Sequence, residues 1–379
     1  MRIMHVGKYY PPYRGGMETA LQALAEGQAA AGAAVSVVVA GGGSEDVREV
    51  LGGEGGGSVV LLRAGVAGTI QSQPLTLGLP ALLRREIAGW RPDIVHLHLP
   101  NPLAAAAWLA LAALPGHDLP PLAVWYHADI TRQRLGRRLV SPLLQGCLRR
   151  ATGIAVASGA LRDGSPVLAS HRDRVAVLPF GLPLQPWSEV EPRRDGPFLF
   201  VGRLVPYKGG DVLLRALARV PGAELVLVGE GPCGPGWAAL VDELGLGGRV
   251  RFAGTLDETG IAARLGEARA LVLPSVDESE AFGLVQLEAM AAGVPVVATD
   301  LPTGVPEVGI PGETGLLVSP GDVDGLAAAL ARLHGDAALR RRLGEAGRRR
   351  FRERFTREKM IERTLAWYGT LQHGGATSP

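Results

Sequence analysis

Residues 270–298 read ALVLPSVDESEAFGLVQLEAMAAGVPVVA, an apolar run, a polar turn, a helical pattern and a second apolar run. The runs at 270–273 and 295–298 are short and bounded by turn residues, as buried strands are. A strand, a crossover helix and a second strand make one parallel unit. The same rhythm fills the chain. Apolar runs at 3–6, 35–39, 59–62, 94–97, 122–126, 153–157 and 175–178 alternate with helical patterns such as 18–31 and 79–88. A second series stands at 198–201, 224–228, 250–252, 270–273, 295–298 and 315–318. Between the series lies a Pro- and Gly-rich stretch, from Pro179 through Pro183, Pro186, Pro192 and Pro197, which suits a linker. The expected fold class is α/β, two Rossmann-like domains with parallel sheets and a cleft between them, covering residues 1–185 and 186–356.

The bulk numbers agree with that division. A chain of 379 residues exceeds the usual size of one hydrophobic core, and 47% hydrophobic with 20% charged residues is a globular composition. A net charge of +2 gives no strong field. The cations are nearly all Arg, with Lys only at Lys8, Lys208 and Lys359. Cys147 and Cys233 form no disulfide framework and no metal-ligand spacing, as in a protein of the reducing cytoplasm. The N-terminus reads as a first buried strand rather than a signal peptide. The apolar residues 103–114 fall well short of the ~20 that a spanning helix needs and are expected to form a buried helix. The glycine-dense residues 41–57 read as a flexible loop, and 373–379 as a frayed tail.

In open α/β sheets ligands bind beyond the carboxyl ends of the strands, so the candidate residues are sought in those loops. Glu280 and Glu288 flank a strand-to-helix turn that contains Phe282, Gly283 and Leu284. Carboxylates accept hydrogen bonds from sugar hydroxyls, and free N–H groups at a helix start attract a diphosphate. Taken alone, the spaced pair also fits a solvated loop before an amphipathic helix. After the run ending at Val201, Arg203 and Lys208 stand five apart in a loop that leads into a helix, where both can converge on one diphosphate. Two solvated cations are the plain alternative.

Three further places are weaker. Gly15 and Gly16 separate the first strand from the first helix and let backbone approach a ligand closely, though Gly-Gly is also an ordinary turn. His127, with Asp129 after it, follows the run at 122–126; a lone histidine is more often structural. Residues 229–234 satisfy the spacing of a dinucleotide fingerprint, but a Pro- and Gly-rich loop replaces the tight helix start. Asp322 and Asp324 look like a metal pair, yet Asp322 before an Ala- and Leu-rich helix reads better as an N-cap. No other His, Cys or carboxylate cluster calls for a metal.

These motifs, in this order, resemble the retaining glycosyltransferases of family 4, which have the GT-B architecture. The likeness runs from the Gly15-Gly16 loop to the segment at Phe355 and the final helix. It implies transfer of a hexose from a nucleoside diphosphate sugar to a hydroxyl, with retained anomeric configuration and neither metal nor cofactor. In its terms Arg203 and Lys208 grip the leaving diphosphate, Glu280 holds the transferred sugar and Glu288 the ribose. Gly229 and Glu230 lie near the base and ribose, and N–H groups near Phe282, Gly283 and Leu284 face the phosphates. Gly15 and Gly16 cover the diphosphate near the acceptor, His127 lies beside the sugar, and the helix at about 357–371 crosses back to the N-terminal domain. The wording around His127 is similar to bacterial mannosyl- and rhamnosyl-transferases of surface polysaccharide, which implies GDP-mannose first and a UDP-hexose second.

The partners implied are that sugar nucleotide and a glycan or polyprenyl-linked acceptor. Arg132, Arg134, Arg137, Arg138, Arg149 and Arg150 fit an anionic membrane surface and a solvated helix face equally well. The same bland reading suits the arginines at 340–342 and 348–350. Nucleic acid is not expected, since no aromatic residues are interleaved with the arginines. Two rival readings stay open: a two-carboxylate hydrolase, which has no use for a cationic diphosphate grip, and a catalytically silent sugar-nucleotide-binding or assembly protein.

Overall fold

A computed structural model describes the chain except for residues 14, 54–55, 71–72, 117, 130–133 and 374–379, and except for the side chains of 134–139 and 373. Two compact units emerge. The first is Met1–Gly181 with the chain from Arg357 onward, and the second is Leu182–Thr356.

The first unit begins with β1 (Arg2–Val6), α1 (Gly16–Ala30), β2 (Ala34–Ala40), β3 (Val47–Gly52) and β4 (Ser58–Ala64). A small ribbon of β5 (Thr69–Ile70) and β6 (Gln73–Pro74) precedes α2 (Leu79–Trp90), β7 (Ile94–Leu99), α3 (Pro102–Ala112) and β8 (Leu122–Tyr126). Then come α4 (Arg134–Arg150), β9 (Gly153–Val156), α5 (Gly159–Gly164) and β10 (Val175–Val177). The sheet order is β10-β9-β8-β7-β1-β2-β4-β3. Pairing is parallel except at the edge, where β3 runs antiparallel to β4.

Strand β3 corrects the expectation of an uninformative loop at 41–57. Its burial alternates only weakly, because an edge strand covers one face, so its apolar signal is faint. Every residue of β7 is buried, as in a strand covered by helices on both sides. One face packs Leu83, Leu97, Trp108 and Leu148, the other Tyr10, Leu21, Val35 and Val37. The chain leaves β1 toward β2 and resumes across it at β7, so β1 and β7 flank the switch point where a ligand crevice opens.

The second unit contains β11 (Phe198–Val201), α6 (Gly210–Ala218), β12 (Leu225–Val228), α7 (Gly234–Glu243), β13 (Val250–Phe252), α8 (Glu258–Glu267) and β14 (Ala270–Leu273). It continues with α9 (Val285–Ala291), β15 (Val296–Thr299), α10 (Val305–Val308), β16 (Gly315–Val318), α11 (Val323–Gly335) and α12 (Ala337–Arg354). Its parallel sheet has the order β13-β12-β11-β14-β15-β16, and β11 and β14 flank its switch point. Phe198, Phe200, Leu213, Leu227, Val272 and Leu330 fill one core face. Asp322 caps α11, its carboxylate accepting from Gly325 N at 2.8 Å.

The last helix, α13 (Arg357–His373), belongs to the first unit. Two glycines admit it: a Cβ at Gly27 would stand 2.7 Å from Ile361 Cγ1, and one at Gly153 would stand 2.5 Å from Leu371 Cδ2. Tyr368 is fully buried with Ile3, Ile94 and Ala123. Among the described residues no helix is long and apolar enough to cross a membrane.

Candidate active site

At the switch point of the second unit, β11 runs into the loop holding Arg203 and Lys208, and β14 into the loop holding Glu280. The backbone locks these loops together. Val276 N donates to Tyr207 O at 2.8 Å, and Leu204 N donates to Glu230 O at 3.0 Å. Gly209 has φ +66, and a Cβ there would lie 2.1 Å from Pro274 O. Gly229 has φ +125, and its Cβ would lie 2.1 Å from Gly202 O. Only glycine fits both positions, so the three loops after β11, β12 and β14 reach this spacing through those residues.

The charged groups meet there. Lys208 Nζ lies 2.5 Å from Glu280 Oε2, with the two side chains 11% and 10% exposed. Ser275 Oγ donates to the same oxygen at 2.9 Å. Burial by itself would lower the Lys208 pKa, but Glu280, Tyr207 and Glu288 outweigh it and hold the ammonium above its ordinary value. On α9, Glu288 is half-buried, and its Oε2 is enclosed with no hydrogen-bond partner among the described residues. Burial first, then the charge of Glu258, pushes this carboxyl up to about 7, while Lys208 pulls the other way.

Arg203 is exposed on the Lys208 loop, and Glu230 is exposed beside Gly254. Phe282 turns its ring into the unit against Phe355, with centroids 6.5 Å apart, so only its backbone is available to a ligand. Gly283 has φ +74 and turns the chain into α9, and Leu284 stands at the N-cap position of that helix without a capping side chain. Sequence reasoning missed Gln286, which holds this turn by donating to Phe282 O and Val305 O.

The first unit holds the remaining candidates. Gly15 is the N-cap of α1, where a Cβ would stand 2.4 Å from Glu18 Oε2, and no atom lies within 4 Å of the Cβ position at Gly16. Glu18 is pushed up by burial, partly countered by Lys8. His127 is buried at the end of β8, stacked on Phe180, and its Nε2 lies 2.9 Å from His98 Nδ1. Asp129 accepts from Tyr126 Oη and Ser165 Oγ, each at 2.7 Å, which is a structural role.

The structure also brings together a histidine cluster that sequence reasoning did not single out. His5, His96 and His98 are buried with nitrogens within 4.8 Å of one another. They are far apart in sequence, and parallel pairing of β1 with β7 sets His5 opposite His96. The available signal was His96-Leu97-His98, which in a strand places two rings on one face.

The arginines after α11 divide: Arg341, Arg342 and Arg349 are exposed, whereas Arg340, Arg348 and Arg350 turn back onto backbone carbonyls. Arg340 donates to Leu333 O, Arg348 to Ala292 O and Val190 O, and Arg350 to Val308 O and Glu307 O. Arg132 and the side chains of Arg134, Arg137 and Arg138 lie outside the described residues.

Comparison with known proteins agrees with the fold and with the family resemblance. Residues 14–185 match the family described as Glycosyltransferase Family 4, and residues 184–350 match Glycosyl transferases group 1. O-antigen chain mannosyltransferase C of Escherichia coli is 31% identical over 98% of this chain and 99% of its own length. D-rhamnosyltransferase WbpZ of Pseudomonas aeruginosa is 34% identical over 72% of each chain. The solved sucrose-phosphate synthase from Thermosynechococcus elongatus is 25% identical, with a TM-score of 0.80 over 98% of this chain and 99% of that one. With two parallel-sheet Rossmann-like units and relatives matched across nearly its whole length, the chain belongs to the GT-B glycosyltransferases, family 4.

Proposed function

We propose that the chain transfers a hexose, mannose or a close relative, from a nucleoside diphosphate sugar to a hydroxyl of a glycan or polyprenyl-linked acceptor. Transfer proceeds with retention and without a divalent ion. The observation that carries this reading is the enclosed Glu288 oxygen, without a partner among the described residues, at the same switch point as the Lys208–Glu280 pair. An enclosed carboxylate oxygen without a donor is costly, and a ribose hydroxyl would supply the missing hydrogen bond.

As the glycosidic bond breaks, negative charge grows on the leaving diphosphate. Lys208, Arg203 and the N–H groups near Phe282, Gly283 and Leu284 then stabilise it. Glu280 accepts from hydroxyls of the sugar and fixes the Lys208 ammonium. Gly229 and Glu230 border the base and ribose, Gly15 and Gly16 serve the phosphates and acceptor, and His127 serves the sugar. The departing phosphate oxygen takes the proton of the incoming hydroxyl, so no protein base is required.

The names of the mannosyl- and rhamnosyl-transferase relatives support GDP-mannose as the first donor to test. The test is nucleotide release and product analysis with GDP-mannose and a polyprenyl-linked saccharide, with and without chelator. The expected result is a product of retained configuration, insensitive to chelation, and a rate about a hundredfold lower in Glu280→Ala. Wild-type turnover in a folded Glu280→Ala protein would contradict the proposal.

A further inference from the structure

Four buried side chains of the first unit form one line. Gln28 Oε1 lies 2.8 Å from His5 Nε2, His5 Nδ1 lies 3.1 Å from His98 Nε2, and His98 Nδ1 lies 2.9 Å from His127 Nε2. At the other end Gln28 Nε2 donates to Tyr368 Oη at 3.4 Å, and Tyr368 Oη meets His96 Nδ1. The line has a direction. An amide oxygen only accepts and an amide nitrogen only donates, so the bond from His5 to Gln28 requires the proton on His5 Nε2.

Burial lowers His5 to about 4, His127 to about 3, and His98 well below its ordinary value, so each ring is neutral and carries a single N–H. The proton positions then follow in order. His5 Nδ1 accepts, so His98 Nε2 donates to it. His98 Nδ1 accepts, so His127 Nε2 donates to it. Nδ1 of His127 is left as a lone pair with no hydrogen-bond partner among the described residues.

We propose that Gln28, His5 and His98 are positioning residues that lock His127 in its Nε2–H tautomer, so that His127 offers its Nδ1 lone pair to a hydroxyl of the sugar or acceptor. The role of His127 toward a sugar rests on the function proposed above; the tautomer does not. The chemistry is selective, because a bare Nδ1 accepts from hydroxyl groups and repels phosphate oxygens. Turning the Gln28 amide over would reverse every bond in the line and make Nδ1 a donor. The spacing of His5, His96 and His98 also suits a metal ion, but such an ion would displace the hydrogen bond from His98 to His5.

Nitrogen-15 NMR of histidine-labelled full chain, with metal analysis of the same sample, tests the lock. The expected spectrum at pH 7 shows His127 with protonated Nε2 and bare Nδ1, and no stoichiometric metal. Gln28→Leu and His98→Phe should each release His127 into a mixture of tautomers and lower kcat about tenfold, the worth of one hydrogen bond, with donor KM little changed. His98→Asn keeps an acceptor near the Nδ1 position and should restore both the tautomer and most of the rate. Protonated Nδ1 in the wild type, an unchanged tautomer in both Gln28→Leu and His98→Phe, or one transition metal per chain held by these histidines would overturn the proposal. A released tautomer with wild-type turnover would leave the lock standing and remove His127 from the reaction.

Discussion

Lys208 Nζ and Glu280 Oε2 stand 2.5 Å apart in a nearly enclosed pair, fixed by Ser275 from the loop after β14. Removing one partner of a buried pair leaves an uncompensated charge, which costs about 3–5 kcal/mol. Lys208→Met alone should therefore be markedly destabilised in urea melts. Lys208→Met combined with Glu280→Gln should regain much of that stability while staying about a hundredfold slower in transfer. A double variant no more stable than the single one would show that the pair is not coupled.

Glu288 carries a pH signature of opposite sign to an ordinary paired carboxylate. Its folded pKa, about 7, lies above the 4.5 of a free carboxyl, so the folded chain holds more protons than the unfolded chain between those values. Ionisation then costs roughly 3 kcal/mol, absent below pH 4.5 and fully felt above pH 7. Glu288→Gln should melt higher than wild type at pH 8, and the difference should vanish toward pH 4.5. Equal melting temperatures at pH 8 would mean that Glu288 is not enclosed in solution.

The buried histidines act in the other direction. His5, His96, His98 and His127 all have folded pKa values below 6.5, so stability is full above pH 6.5 and falls as pH drops. Each histidine contributes a slope of about 1.4 kcal/mol per pH unit below 6.5, down to its own folded value. Urea midpoints should fall steeply from pH 6.5 to 5, less so in His98→Phe. A flat profile would place these rings in water.

Gly229→Ala forces a Cβ to within 2.1 Å of Gly202 O at φ +125. The loops after β11 and β12 must part, at a cost of about 2–4 kcal/mol. Calorimetry should show the loss, together with weaker sugar-nucleotide binding. An unaffected melting temperature would rule out the close approach of the two loops.

Much of this arrangement was legible in the sequence. The parallel units follow from short apolar runs alternating with helices, and the two loops that hold Lys208 and Glu280 are legible because each follows a strand. Strand β3 escaped because an edge strand with one wet face carries little apolar signal. Arg340 and Arg348 of α12 read as solvated because a cation that caps a buried carbonyl has the same composition as one in water. The line from Gln28 to His127 joins residues from α1, β1, β7 and the end of β8, a proximity created by the pairing of β7 with both β1 and β8 and by α1 packed beside them.

The most direct test of the central claim is isothermal titration of the full chain with GDP-mannose, then with UDP- and dTDP-hexoses. The expected result is one sugar nucleotide per chain, bound at least about tenfold more weakly by Glu288→Gln and by Lys208→Met. Unchanged affinity in both folded variants, or no binding of any nucleoside diphosphate sugar, would contradict it.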